Sequence, residues 1–106
     1  MPQFDVHRNS GKHRDTIPYV VVVQSALFDD YRRRVVVPLV KASVVGKIAN
    51  PRFNPTFKVA GTSGVLHPLE TVSVALELLH EPVGSLASQA DRIIAAMDEL
   101  IARAWG

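Results

Sequence analysis

Residues 18–40 read PYVVVVQSALFDDYRRRVVVPLV, and the reading of this stretch decides the fold. Four consecutive valines, Val20 to Val23, carry branched Cβ atoms that restrict χ1 and penalise a helix. Tyr19 to Gln24 therefore reads as a strand buried on both faces. The polar segment from Ser25 to Arg34 interrupts it. The β-branched pattern resumes at Val35 and runs to Pro38, where the missing N–H places that end of the second strand at an edge or a bulge. Two apolar strands joined by a short polar loop predict an antiparallel pair.

Working outward, QFDVH (Gln3 to His7) alternates Phe4 and Val6 with polar neighbours, the period of a half-buried strand. RNSGKHRD (Arg8 to Asp15) then reads as a hairpin loop. VKASVVGKIAN (Val40 to Asn50) reads either as a short helix or as a loop with a strand fragment. Beyond it the sequence predicts a strand at Phe57–Val59, a turn from Gly61 to Gly64 and a strand at Val65–Leu69. TVSVALELL (Thr71 to Leu79) sets Val72, Val74, Leu76 and Leu78 on one face of a further strand. From Ser88 the period changes, with Ala90, Ile93, Ile94, Met97, Leu100, Ile101 and Ala104 at spacings of three and four, an apolar helical stripe. Ser88 and Asp91 have the spacing of a capping box. About sixteen residues at 1.5 Å rise predict a helix of roughly 24 Å. The order is strands and then one helix, an α+β, mainly β fold in one domain over residues 1–106.

Apolar residues make up 47% of the chain and charged residues 21%, a balance that excludes a largely disordered protein. Twelve Lys and Arg against ten Asp and Glu leave +2, too small a surplus to draw in nucleic acid by itself. The absence of cysteine excludes disulfides and thiolate catalysis. No stretch has the length of a signal peptide's apolar core or a membrane span, so the expected setting is soluble and cytoplasmic, with no membrane partner.

Few residues point to chemistry. His7, His13, His67 and His80 lack metal-ligand spacing and are expected at the surface or at strand ends, so neither a metal site nor a cofactor is expected. Ser63, in GTSG, lacks the context of a nucleophile elbow and is expected in a turn. Arg32, Arg33 and Arg34 lead into a strand, where alternate side chains face opposite ways, so ion pairs with Asp29 or Asp30 are expected over a flat phosphate patch. Leu27 and Phe28 are either core anchors or an apolar pair presented to a partner. Trp105 poses the same choice, finishing the helical stripe or facing outward.

The opening QFDV, the block YVVVVQSALFDDYRRRVVVPLV and a helix ending near Trp-Gly together resemble the CcdB family of bacterial toxins from toxin–antitoxin pairs. The resemblance implies an SH3-like small barrel with a C-terminal helix, forming a two-fold homodimer. It also implies a protein that is not an enzyme, that binds the A subunit of DNA gyrase and traps its cleaved DNA complex, and that the disordered tail of a cognate antitoxin neutralises. Direct sequence-specific nucleic-acid binding is not implied. Carried onto this chain, Leu27 and Phe28 match an apolar gyrase-contacting pair. At the helix end two registers are open. Aligned by the terminal Trp-Gly, Trp105 and Gly106 match the tryptophan that stacks on a gyrase arginine and its neighbour. Aligned by AAMDEL, the matching positions are Asp98, Ile101, Ala102 and Arg103. The family pattern has Phe before its Trp, where this chain has Ala104.

Two alternatives stand beside this reading. One is a family member that has lost or changed gyrase poisoning, to which the altered helix end points. The other is an mRNA-cleaving ribonuclease toxin on the same fold, for which His7, His13, Arg14, Asp15 or Arg33 would have to assemble a base and a cation around a phosphodiester.

Overall fold

The computed structural model describes residues 3–103, and of Ala102 and Arg103 the backbone alone. The valine-rich blocks form the centre of a single antiparallel sheet. Strand β1 (Asp5–Arg8) pairs with β2 (Tyr19–Val22), and β2 pairs with β3 (Arg33–Lys41). After a single helical turn, α1 (Ala42–Val45), come β4 (Thr56–Val59), β5 (Thr62–Leu66), β6 (Val72–Ala75) and β7 (Gly84–Ser85). The sheet order is β4-β5-β3-β2-β1-β7, with β6 also on β3. The sheet curls into a nearly closed barrel, and one C-terminal helix, α2 (Ala90–Asp98), packs against it.

Register builds the core. Val6 lies opposite Val21 and Val21 opposite Val37, while Tyr19, Leu39 and Leu66 form a second cross-strand row. These side chains share one face, where Phe57, Ile93 and Ala96 complete the buried cluster under α2. Each such aliphatic or aromatic side chain contributes roughly 1.5–3 kcal/mol on burial. The opposite face holds a smaller cluster of Val22, Val36 and Leu79. The stretch from Tyr19 to Val22 is therefore packed on both sides, as its unbroken valines predict.

Pro38 has a different setting from the one expected. The strand runs through it to Lys41 and is central, with β2 along one side. Along the other side β3 changes partner, pairing with β6 through Val36 and with β5 from Leu39 onward. Val35 and Lys41 turn their backbone groups toward the β2 side, so Pro38, an odd number of residues from both, faces the gap between β6 and β5. No ladder bond needs its missing N–H there, and its carbonyl accepts from the His67 N–H at 3.1 Å.

Several other expectations are corrected. The turn after Val59 is Ala60–Gly61, both at positive φ, and Gly64 lies inside β5 rather than in the turn. Ser63 is likewise a strand residue, opposite Lys58. That strand ends at Leu66, because Pro68 opens a 3-10 turn (Pro68–Glu70) that leaves Leu69 exposed. The strand from Val72 stops at Ala75 and Leu76–Leu78 forms another 3-10 turn, so its alternating apolar residues do not share one buried face. Val72 and Leu78 are half exposed. The helix is preceded by a 3-10 turn (Ala87–Gln89), which carries Ser88 away from the capping position. Gln89 stands there instead, without a side-chain cap bond, while Asp91 keeps an acid in the first turn. Beyond Asp98 the helix continues as a π-helical turn over Glu99–Arg103.

Of the surface or strand-end positions expected for the histidines, His7 takes the second, next to the last residue of β1, and it is buried. It pairs opposite Val20, and its Nδ1 lies 2.7 Å from the His80 carbonyl, so Nδ1–H is the donor. Alternation explains this: Val6 points into the main core and His7 to the opposite face of the sheet.

Candidate functional site

The loop between β2 and β3 is held from beneath and apolar on top. Ser25 caps a 3-10 turn (Ala26–Phe28), its Oγ accepting from the Leu27 N–H at 3.2 Å. Gln24 clips the loop to the sheet, donating from Nε2 to the Phe28 carbonyl at 3.0 Å and accepting the Val35 N–H at 2.9 Å. The Arg34 guanidinium is buried below. It donates to the carbonyls of Tyr31 (2.5 Å), Arg33 (2.9 Å) and Asp29 (3.0 Å), and its Nε lies 3.8 Å from Asp29 Oδ1.

With the backbone fixed this way, the apolar side chains point outward. Leu27 is 86% exposed and Phe28 50%. Neither is a core anchor in this chain. Tyr31, which the sequence did not single out, joins them at 67% exposure, its ring edge-on to Phe28 with centroids 6.2 Å apart. The signal for it was faint, one aromatic residue between an acidic pair and an arginine run.

The three arginines separate: alternation along β3 sets Arg33 apart from Arg34, and Arg32 lies before the strand, so it does not share the side of Arg34 as alternation alone would have it. Arg32 meets Glu77 at 3.0 Å on the surface, Arg33 reaches Ser73 Oγ and the Ser73 carbonyl, and Arg34 goes under the loop. A joint phosphate patch is not formed. The expected ion pair is the one between Arg34 and Asp29.

The helix end supplies the second half of the site. Asp98 is exposed, and Ile101 is 71% exposed. Ala102 is described by its backbone only, within the π turn, and Trp105 and Gly106 lie outside the described residues. A groove of about 250 Å³ runs between helix and sheet, lined by Phe4, Val23, Ile94, Met97, Asp98 and Ile101. A second cleft, of about 280 Å³, lies beside the loop between Phe28, Tyr31, Arg33 and Val35. Val23 in the first and Val35 in the second are bonded neighbours, N–H to carbonyl, at 3.1 Å. Loop and helix end therefore lie along one face of the barrel.

The family model for the CcdB protein matches residues 3–102, nearly the whole chain. The chain belongs to the CcdB family. Membership makes it a toxin of the toxin–antitoxin type, with an antitoxin as its counterpart, and the barrel with one C-terminal helix agrees with that family's expected fold. A comparison with curated proteins gave no match. Among the described residues, no helix is long and apolar enough to cross a membrane. Within this CcdB chain, of the residues that the ribonuclease alternative names, His7 is buried and Arg33 is bonded to Ser73, while His13, Arg14 and Asp15 are exposed between β1 and β2.

Proposed function

We propose that the chain acts as a homodimer that binds the A subunit of DNA gyrase and traps its cleaved DNA complex, without catalysis of its own, in the bacterial cytoplasm. The observation that supports this reading most is the outward apolar pair Leu27–Phe28, held on a loop whose backbone is fixed by Arg34 and Gln24. Exposed apolar side chains on a rigid support suit protein docking, because little ordering entropy remains to be lost on binding. In the same reading Asp98, Ile101, Ala102, Trp105 and Gly106 form the helix-end contact.

The antitoxin's disordered tail is proposed to lie over residues 8–14 and 41–52. These segments are mostly exposed, and the Lys41 N–H at the start of the second donates to the Thr16 carbonyl, two residues past the end of the first, at 2.9 Å.

The deciding experiment mixes purified protein with gyrase and supercoiled DNA. Accumulation of cleaved complexes, removed by a resistant gyrase A variant or by the antitoxin tail, supports the proposal. Binding of the antitoxin without any gyrase effect would favour the family member that has changed its target.

A further inference from the structure

Helix α2 changes pitch at one residue, and an arginine from a distant turn holds that residue. At Glu99 the backbone N–H bonds to both the Ala95 and Ala96 carbonyls, and the π turn begins. Hydrogen bonds in such a turn close five residues apart rather than four, which rotates every later side chain relative to the α stripe. Ile101, just beyond the change, is largely exposed, as is Ile94 seven residues before it.

The Glu99 carboxylate is only 20% exposed, and its Oε1 lies 2.9 Å from Arg52 Nε. Arg52 comes from a turn braced at both ends. The Asn50 carbonyl accepts the N–H groups of Phe53 and Asn54, and Asn54 Nδ2 donates to the Leu66 carbonyl of β5. Two helical turns before Glu99, Arg92 donates to the Thr56 carbonyl at 2.9 Å and lies over the Phe57 ring at 4.4 Å. Residues 92 and 99 share a helix face, so the same stretch of chain, 52–57, grips α2 at two levels.

We infer that Arg52 and Glu99 are positioning residues for partner binding: their ion pair fixes the place where α2 widens, and with it the direction in which Ile101 is presented beyond Asp98. The inference rests on the proposed role of the helix end in gyrase contact. Because Arg52 is mostly exposed, the pair adds little to global stability, and its effect is on orientation.

The test uses the full chain with Arg52→Glu, Glu99→Arg, the double swap, Arg52→Gln and the conservative Arg52→Lys. Three quantities are read: the thermal midpoint, hydrogen exchange at the amides of residues 100–103, and affinity for the purified A subunit of gyrase. The single reversals and Arg52→Gln are expected to hold the midpoint within a few degrees. They should speed exchange at the helix end and weaken gyrase binding about tenfold. Arg52→Lys and the swap should restore both. Unchanged exchange in the single variants, or a swap that restores neither quantity, overturns the inference. Should a reversal fail to fold, Arg52→Gln carries the same reading. If the wild-type chain does not bind gyrase, the proposed function falls, while the exchange data still decide whether the pair sets the helix end.

Discussion

The Val23 N–H donates to the Val35 carbonyl at 3.1 Å, and this one rung joins the groove beside α2 to the cleft beside Phe28 and Tyr31. Neither cleft is deep. Taken together they give the barrel an apolar face that runs from Ile101 to Phe28, the surface on which the proposed function depends.

The loop is the first place to test it. Leu27→Asp combined with Phe28→Asp should leave the thermal midpoint nearly unchanged, since both side chains already face solvent. Gyrase affinity should fall by about 2 kcal/mol or more, the scale of an apolar hot spot. Calorimetry of the double variant and the parent measures both. A large loss of stability would show that the pair supports the fold instead.

The three neighbouring arginines should behave unlike one another. Arg34→Ala removes the buried guanidinium that holds the carbonyls of Asp29, Tyr31 and Arg33 and should cost on the order of 3 kcal/mol or more, at roughly 1 kcal/mol or more for each partner lost. Arg32→Ala removes an exposed ion pair and should cost about 1 kcal/mol or less. Urea titration of both variants gives the comparison, and equal losses would contradict it.

Assembly gives a third expectation. Light scattering should report twice the chain's 11.6 kDa at micromolar concentration. Ile94→Lys, which sets a charge on the exposed side of the groove, should shift the population toward monomer without unfolding it. A wild-type monomer at every concentration sinks the dimer.

Removal of Trp105 and Gly106 should leave a folded dimer that still binds an antitoxin tail, with gyrase affinity reduced by at least about tenfold, as loss of an aromatic anchor implies. Unchanged gyrase affinity would transfer the weight of the interaction to Ile101 and the loop.

Inside the barrel, Gly64→Ala is expected to destabilise the fold by about 1–3 kcal/mol, the range for overpacking. A Cβ at that position would lie 2.9 Å from Leu39 Cβ, which sits on a central strand and cannot swing aside. Thermal unfolding checks this.

Much of the fold is legible in the valine blocks, because a run such as Val20 to Val22 leaves the backbone almost no alternative to a doubly buried strand, although β2 ends at Val22 rather than at Gln24. The stretch from Gly61 to Leu78 was harder to read. Its alternation of apolar residues fits a strand, yet Pro68 and the fork of β3 break it into short pieces joined by 3-10 turns. Those breaks are tertiary in origin, and periodicity cannot express them. At the site, Leu27 and Phe28 could be singled out by their polar setting. Arg34 could not, since whether an arginine next to a strand faces solvent or folds under a loop depends on which carbonyls that loop turns toward it. The widening at Glu99 was hidden for a similar reason, as its partner Arg52 is remote in sequence.

Arg33 has one more consequence. Pairing of β6 with β3 through Val72 and Val74 leaves the Ser73 peptide turned away from β3, toward the free margin of the sheet, and Arg33 Nη2 occupies that outward carbonyl at 2.6 Å. A strand from another molecule approaching this margin meets a guanidinium where it needs an acceptor. Sheet-to-sheet polymerisation is thereby discouraged, and copies of the protein are left to meet through side-chain surfaces, which can close into a finite pair, rather than through a ladder that could grow without end.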